Sequence, residues 1–161
     1  MKWLFLFITT GFSFVTYAQV TKVSLQASGL TCSMCSNSVY KSLKTIGFID
    51  KIDANIKTST FEITFKPADH IDFDILKVKV EDAGYAVAKF VATIQCRDVK
   101  VEGNEPVRIG NVMLQFVNLK EKSLNGEKKV RIVSKGFIPS REYKKNLFMT
   151  AAKPGVYYAV I

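Results

Sequence analysis

Two thiols three positions apart are the side chains of this sequence best suited to chemistry. Cys32 and Cys35 lie in the stretch Gly29-Leu30-Thr31-Cys32-Ser33-Met34-Cys35. The thiolate is the metal-ligating form of cysteine, and soft thiolates select soft ions. A pair of them on an open loop can hold one ion from opposite sides. That near-linear arrangement suits Cu(I) or Hg(II). Zn(II) prefers four ligands in a tetrahedron, and only two cysteines stand together here.

The elements around the pair place it at a strand-to-helix turn. Val20 to Ala27 reads as a strand. After the loop, Cys35, Val39, Leu43 and Ile46 recur at spacings of four, four and three, one face of a helix over about residues 33–46. Gly29 gives the loop backbone angles closed to other residues. Cys35 falls near the helix N-terminus, whose positive dipole end favours thiolate over thiol. Further strands follow at about 48–55 and 59–66, the second with Phe61, Ile63 and Phe65 on one face. Leu76, Val80 and Ala83 suggest a helix over about 72–83, although Lys77-Val78-Lys79-Val80 also alternates as a strand would. Asp72 or Asp74 at its start favours the helix, as cap or dipole partner. A last strand begins at Tyr85. The order β-α-β-β-α-β is the ferredoxin-like split βαβ arrangement.

These residues resemble the heavy-metal-associated domain family, which includes small copper chaperones, the N-terminal modules of copper-pumping ATPases and a periplasmic mercury carrier. The family pattern is G-M-T-C-x-x-C with Val and Leu following at four-residue steps. The matching residues are Gly29, Thr31, Cys32, Cys35, Val39 and Leu43. Leu30 stands where Met is usual, a swap of nearly equal volume. Glu81-Asp82-Ala83-Gly84-Tyr85 matches the family's closing motif. The resemblance covers about residues 20–91. It implies the ferredoxin-like fold, soft-metal binding at Cys32 and Cys35, and a donor or acceptor such as a metal-pumping membrane ATPase. It also implies that Tyr85 lies near the metal loop, where it shields or tunes the thiolates; otherwise it is a half-buried aromatic at a strand start.

Other readings of the pair stand beside this one. A thioredoxin-like site would use it for thiol-disulfide exchange, but such sites carry Trp, Gly and Pro around the cysteines rather than Ser33 and Met34. A purely structural bridge across so short a loop would remove little unfolded-state entropy. Met34 is either an added ligand or a solvent-facing residue. His70 reads as a surface residue of a polar loop. Asp72, Asp74, Glu81 and Asp82 read as the solvated face of the second helix or as a docking surface. Cys96 reads as a small buried hydrophobe, with a third metal ligand or an intermolecular thiol as alternatives.

Residues 1–18 read as a signal peptide: Lys2, then an interrupted apolar run, then Thr16-Tyr17-Ala18 before Gln19. An uncleaved signal anchor is the alternative. The expected location is therefore exported, periplasmic or secreted, where Cys32 and Cys35 can pair when no metal is bound. Residues 19–91 form the metal-domain candidate, and residues 92–161 form a second region of different character. That region holds 13 Lys and Arg against 6 Asp and Glu, whereas residues 19–91 hold 9 against 8. Its strand-like runs are 112–117, 130–133, 146–150 and 155–161, with turn signals at Gly103-Asn104, Asn125-Gly126, Pro139-Ser140 and Pro154-Gly155. Asn125-Gly126 predicts a hairpin, and no run has helical periodicity. The expected fold class is thus α+β: a ferredoxin-like βαββαβ domain followed by a small, mainly antiparallel β region resembling an immunoglobulin-type sandwich, or strands packed on the open face of the first domain. Lys120, Lys122, Lys128, Lys129 and Arg131 form a basic cluster suited to a solvated face, an acidic partner or an anionic membrane surface; an exported protein has little occasion to meet nucleic acid. No Ser-His-Asp set, phosphate loop or acid-base carboxylate pair is recognisable. The expected function is a non-catalytic carrier of one soft metal ion, Cu(I) before Hg(II). A thiol-disulfide protein and a metal-sensing interaction module are the alternatives.

Overall fold

β1 (Gln19–Ser28) sets the frame, because both of its edges are hydrogen-bonded to neighbouring strands. Val23, Leu25 and Ala27 point to one side and are buried; Lys22, Ser24 and Gln26 point to the other. This period of two is the signature of a strand with one covered and one open face. The computed structural model describes residues 18–67, 70–103, 105–145 and 155–161. Residues 1–17 of the expected signal peptide (1–18), the run 146–150, Asn104 and Pro154 lie outside the described residues.

The first half follows the expected order. α1 (Ser33–Lys44) buries Val39 and Leu43 against the sheet. β2 (Ile49–Asn55) and β3 (Thr60–Phe65) form an antiparallel pair, and β3 also lies against β1. α2 (Phe73–Asp82) is a helix, so the ambiguous Lys77–Val80 stretch takes the helical alternative. Asp72 caps it: its carboxylate accepts the backbone N–H of Asp74 at 2.8 Å and of Ile75 at 3.4 Å. Phe73, Leu76 and Val80 carry the buried face.

The second half departs from a sandwich. β4 (Ala86–Lys100) runs as one strand of 15 residues, straight through the 91/92 division drawn from the sequence. β5 (Val107–Ile109), β6 (Val112–Phe116), β7 (Ser123–Ile132) and β8 (Val156–Val160) join the same sheet. The result is one eight-stranded sheet in the order β2-β3-β1-β4-β7-β8-β6-β5. Its pairs are antiparallel except β6 with β8. The physical reason is the free edge of β4. A ferredoxin-like sheet ends there with unpaired backbone groups, and β7 covers that edge from Val91 opposite Arg131 to Lys100 opposite Ser123.

Asn125-Gly126 is not a hairpin. It lies inside β7, where the register with β4 shifts between Cys96 and Val99. Asp98 has φ 48° and Gly126 φ 74°, and Asn125 Oδ1 accepts the Asp98 N–H at 2.6 Å. The residues that make a type I′ turn also make a β-bulge, because both need positive φ. A short α3 (Ser140–Lys145) appears where no helix was expected; Pro139 O accepts the N–H groups of Glu142 and Tyr143 at 2.9 and 3.0 Å.

One apolar core serves both halves. α1 and α2 cover the face bearing Val23, Leu25, Phe90 and Ile94, and the same cluster continues through Val130, Ile132, Phe137 and Tyr157. Phe73 of α2 stacks against Phe90 at 4.9 Å and Tyr157 at 5.2 Å, and Phe137 closes the ring set on both. Asn111 clamps the approach to α2, giving its Nδ2–H to Ile71 O at 2.5 Å and taking the Ile71 N–H at 3.3 Å. α3 lies on the opposite face of the sheet. There Tyr143 packs in a small cluster with Val133, Ile138 and Tyr158, and Glu142 meets Arg131.

Candidate functional site

The loop of residues 29–32 leaves β1 and enters α1 at an end of the sheet that also carries Tyr85 and the start of β4. Gly29 sits at φ +82°, the left-handed region that its lack of a Cβ permits. A Cβ there would meet Tyr85 Cδ1 at 3.9 Å. The Tyr85 ring therefore lies beside the loop, as the resemblance implied, and it also packs on the core with Leu30. Leu30 fills the position under the loop.

Cys32 is the N-cap of α1, with φ −144° and ψ 160°. Its Sγ accepts the backbone N–H of Cys35 at 3.2 Å, and its carbonyl accepts that of Ser36 at 3.2 Å. Sulfur here does the work that Ser or Asp oxygen does in most N-caps. The sequence pointed to Cys35 as the thiol nearest the helix end; the geometry gives Cys32 the direct contact. No acidic residue occupies the first turn of α1, so no side-chain carboxylate there offsets the helix dipole. Cys32 is exposed and Cys35 half-buried. The two are joined as a disulfide, with Cα atoms 5.3 Å apart. Reduced, the same two sulfurs would face solvent across one turn.

Met34 is 80% exposed and points away from the protein. Among the described residues no group of three or more His, Cys, Asp and Glu side chains could hold a metal ion. His70 is exposed and follows β3, at the sheet end opposite the cysteines. Cys96 is 1% exposed on β4, about 30 Å along that strand from Ala86. Burial pushes its thiol pKa up, and nearby Lys128 offsets part of that. It is a core residue rather than a third ligand.

The acidic set divides. Asp72 is spent as a cap, and Asp74 accepts from Tyr157 Oη at 2.9 Å and from Lys77 Nζ at 2.7 Å. Glu81 and Asp82 are exposed. The basic cluster follows β7 and the segment before it rather than a hairpin. Lys128 pairs with Glu121 at 3.1 Å and Arg131 with Glu142 at 2.9 Å. One residue beside the pair escaped the sequence reading. Ser36, directly after Cys35, is 3% exposed, and its Oγ has no hydrogen-bond partner. Its position three before Val39 on the apolar face of α1 was the available signal.

Among the described residues no helix is long and apolar enough to cross a membrane. Comparison with known proteins bears on residues around the loop. A family model for the heavy-metal-associated domain matches residues 24–86. A probable copper-exporting P-type ATPase of Archaeoglobus fulgidus is 30% identical over 71 residues, 44% of this chain but only 9% of that protein. The mercuric transport protein periplasmic component of Pseudomonas fluorescens is 32% identical over 69 residues, 43% of this chain and 75% of that protein. A crystal structure of oxidised MerP from Ralstonia metallidurans CH34 is 30% identical, with TM-score 0.39, covering 44% of this chain and 94% of that one. The motif from Gly29 to Cys35, the split βαβ frame around it and the mercuric relative covered over most of its length agree: this chain belongs to the heavy-metal-associated domain family.

Proposed function

We propose that the protein is an exported, non-catalytic carrier of one soft metal ion, held by Cys32 and Cys35 as thiolates. Cu(I) is the proposed cargo and Hg(II) its rival; relatives are named for each metal. The observation that carries the reading is a cysteine pair, Cys32 exposed and Cys35 half-buried, at a helix start without first-turn carboxylates, with no third ligand group among the described residues. Two-coordinate binding suits ions that accept two sulfurs. It also leaves the ion open to an incoming thiolate, which adds while one of these two leaves. A metal-pumping membrane ATPase is the class of partner that such exchange would serve.

The bridge sets a condition on this role. Both sulfurs of the Cys32–Cys35 disulfide are committed to each other, so two electrons and two protons must be supplied before the dithiol can ligate. The same fact favours thiol-disulfide exchange as the second reading. Anaerobic titration of the reduced protein with Cu(I), and separately with Hg(II), against a competing chelator tests the carrier. Tight one-to-one binding lost in Cys32→Ser/Cys35→Ser is expected. Weak binding, or binding indifferent to those substitutions, would overturn it and make the pair's redox potential the next quantity to measure.

A further inference from the structure

The open face of the sheet carries a groove away from the metal loop's own chemistry. Its floor is made by alternate residues of β3, β1, β4 and β7, whose other faces form the core. Register places Lys22 opposite Thr93 and Thr93 opposite Lys129; two rows along, past Ser24 opposite Val91, Gln26 lies opposite Lys89. The groove has a volume of about 380 Å³. α3 stands over the neighbouring strands on the same side, held by Glu142 on Arg131 and by Tyr143. The exposed side chains of Arg141, Lys144 and Lys145 thus belong to the same side of the molecule.

Cations outnumber carboxylates on this side of the sheet. Glu62, the carboxylate on the groove floor, is taken by Lys22 at 3.2 Å and by the Ser24 hydroxyl at 2.6 Å. Glu142 is taken by Arg131. Glu127, opposite Gln95, is one same-face position along β7 from Lys129 and does not line the groove. Lys89 and Lys129 are exposed and form no ion pair among the described residues. An ordinary solvated sheet face mixes both signs; this one keeps its cations after its floor carboxylate is matched.

We infer that this groove docks an extended, acidic segment of a partner protein. Charge complementarity selects the anion. The walls select a peptide over a membrane. A surface that enters the lipid interface buries apolar side chains there, whereas the large exposed apolar residues among those described, Met34, Ile56, Ile75, Val78 and Ile161, do not line the groove. A concave floor of hydroxyl, amide and ammonium groups along parallel rows fits an extended chain with carboxylates on alternate residues. Lys89 lies three residues from Ala86 on β4, about 10 Å along the strand from the loop end. A segment seated here would hold its protein beside Cys32 and Cys35 without covering them.

The test needs no metal. A fluorescein-labelled decapeptide of alternating Glu and Thr is titrated into the full-length oxidised protein and followed by anisotropy, at 20 mM and then 200 mM salt. Phosphatidylglycerol vesicles are run in parallel. Lys89→Glu/Lys129→Glu is expected to weaken peptide binding at least tenfold. Lys100→Glu/Lys122→Glu makes the same change in net charge at the other end of the sheet and is expected to weaken it less than threefold. Far-ultraviolet circular dichroism checks that both variants fold. Absence of peptide binding, equal losses in the two variants, or binding to vesicles in preference to peptide would each overturn the inference.

Discussion

The Tyr157 hydroxyl donates to Asp74 Oδ2 at 2.9 Å, tying β8 to the first turn of α2 across 83 positions of sequence. Asp74 also meets Lys77 at 2.7 Å, and Lys77 lies over the Phe137 ring at 5.2 Å. The second helix of the metal domain is therefore held by residues from the far end of the chain. Tyr157→Phe keeps the ring against Phe73 and removes only the hydroxyl. It is expected to cost about 1.5–3 kcal/mol in urea unfolding, the worth of a hydrogen bond to a charged acceptor. Asp74→Asn should lose a similar amount, and the double variant less than the sum.

The same contact has a pH signature. Burial, then the bond to Asp74, pushes the Tyr157 hydroxyl pKa well above its usual value near 10. A folded-state pKa above the unfolded one means that the contribution is complete below pH ~10 and is lost as pH rises through that range. The stability gap between the natural protein and Tyr157→Phe should stay constant from pH 6 to 9 and shrink above 10. A gap that narrows instead below pH 9 would assign it to another group.

A chain ending at residue 91 would lose β7 from the edge of β4 and break the closed circuit of ring contacts Phe73–Phe90–Phe137–Tyr157–Phe73. Truncation is expected to abolish cooperative thermal unfolding and near-ultraviolet dichroism, although residues 24–86 match the family model. A fragment that melts cooperatively would show that the first half stands alone.

How far the sequence revealed this arrangement follows from where its periodicities are strong. Val39 and Leu43, and the alternation of Phe61, Ile63 and Phe65, report burial on one face, so the split βαβ frame and the loop carrying Cys32 and Cys35 were legible. β7 was half-legible: Leu124 and then Val130 and Ile132 are buried, but the stretch between them is polar on both faces at the bulge. Asn125-Gly126 signals positive φ without saying whether the chain reverses or bulges. α3 has six residues and no buried one, so its helix depends on contacts made by Glu142 and Tyr143 that no local pattern encodes. The Tyr157–Asp74 bond and the burial of Ser36 are likewise properties of packing.

Cys96 belongs to the core and not to the candidate metal site. It is buried on β4 beside apolar neighbours. Cys96→Ala should cost about 1–2 kcal/mol for the small cavity, and Cys96→Ser about 1–3 kcal/mol for a buried hydroxyl. Neither should change the stoichiometry of Cu(I) or Hg(II) bound to the reduced protein. A drop in stoichiometry in Cys96→Ala, with the fold intact by circular dichroism, would make this thiol a ligand.

Ser36 gives the opposite sign. Its hydroxyl is buried in the first turns of α1 with no partner, so folding removes it from water without a compensating bond. Alanine also has the higher helix propensity. Ser36→Ala is therefore expected to stabilise the oxidised protein by about 1 kcal/mol in urea unfolding, where most substitutions at buried positions destabilise. The reduced protein provides the sharper comparison. Cys35 is the adjacent residue and Cys32 the helix cap, so the cost of burying the Ser36 hydroxyl can be compared between the two thiol states. If Ser36→Ala stabilises the disulfide form and leaves the reduced form unchanged, the difference appears directly as a lower reduction potential of the Cys32–Cys35 pair, about 20 mV for 1 kcal/mol in this two-electron couple. Equal stabilisation of both forms would leave the potential where it was and identify Ser36 as a packing residue alone.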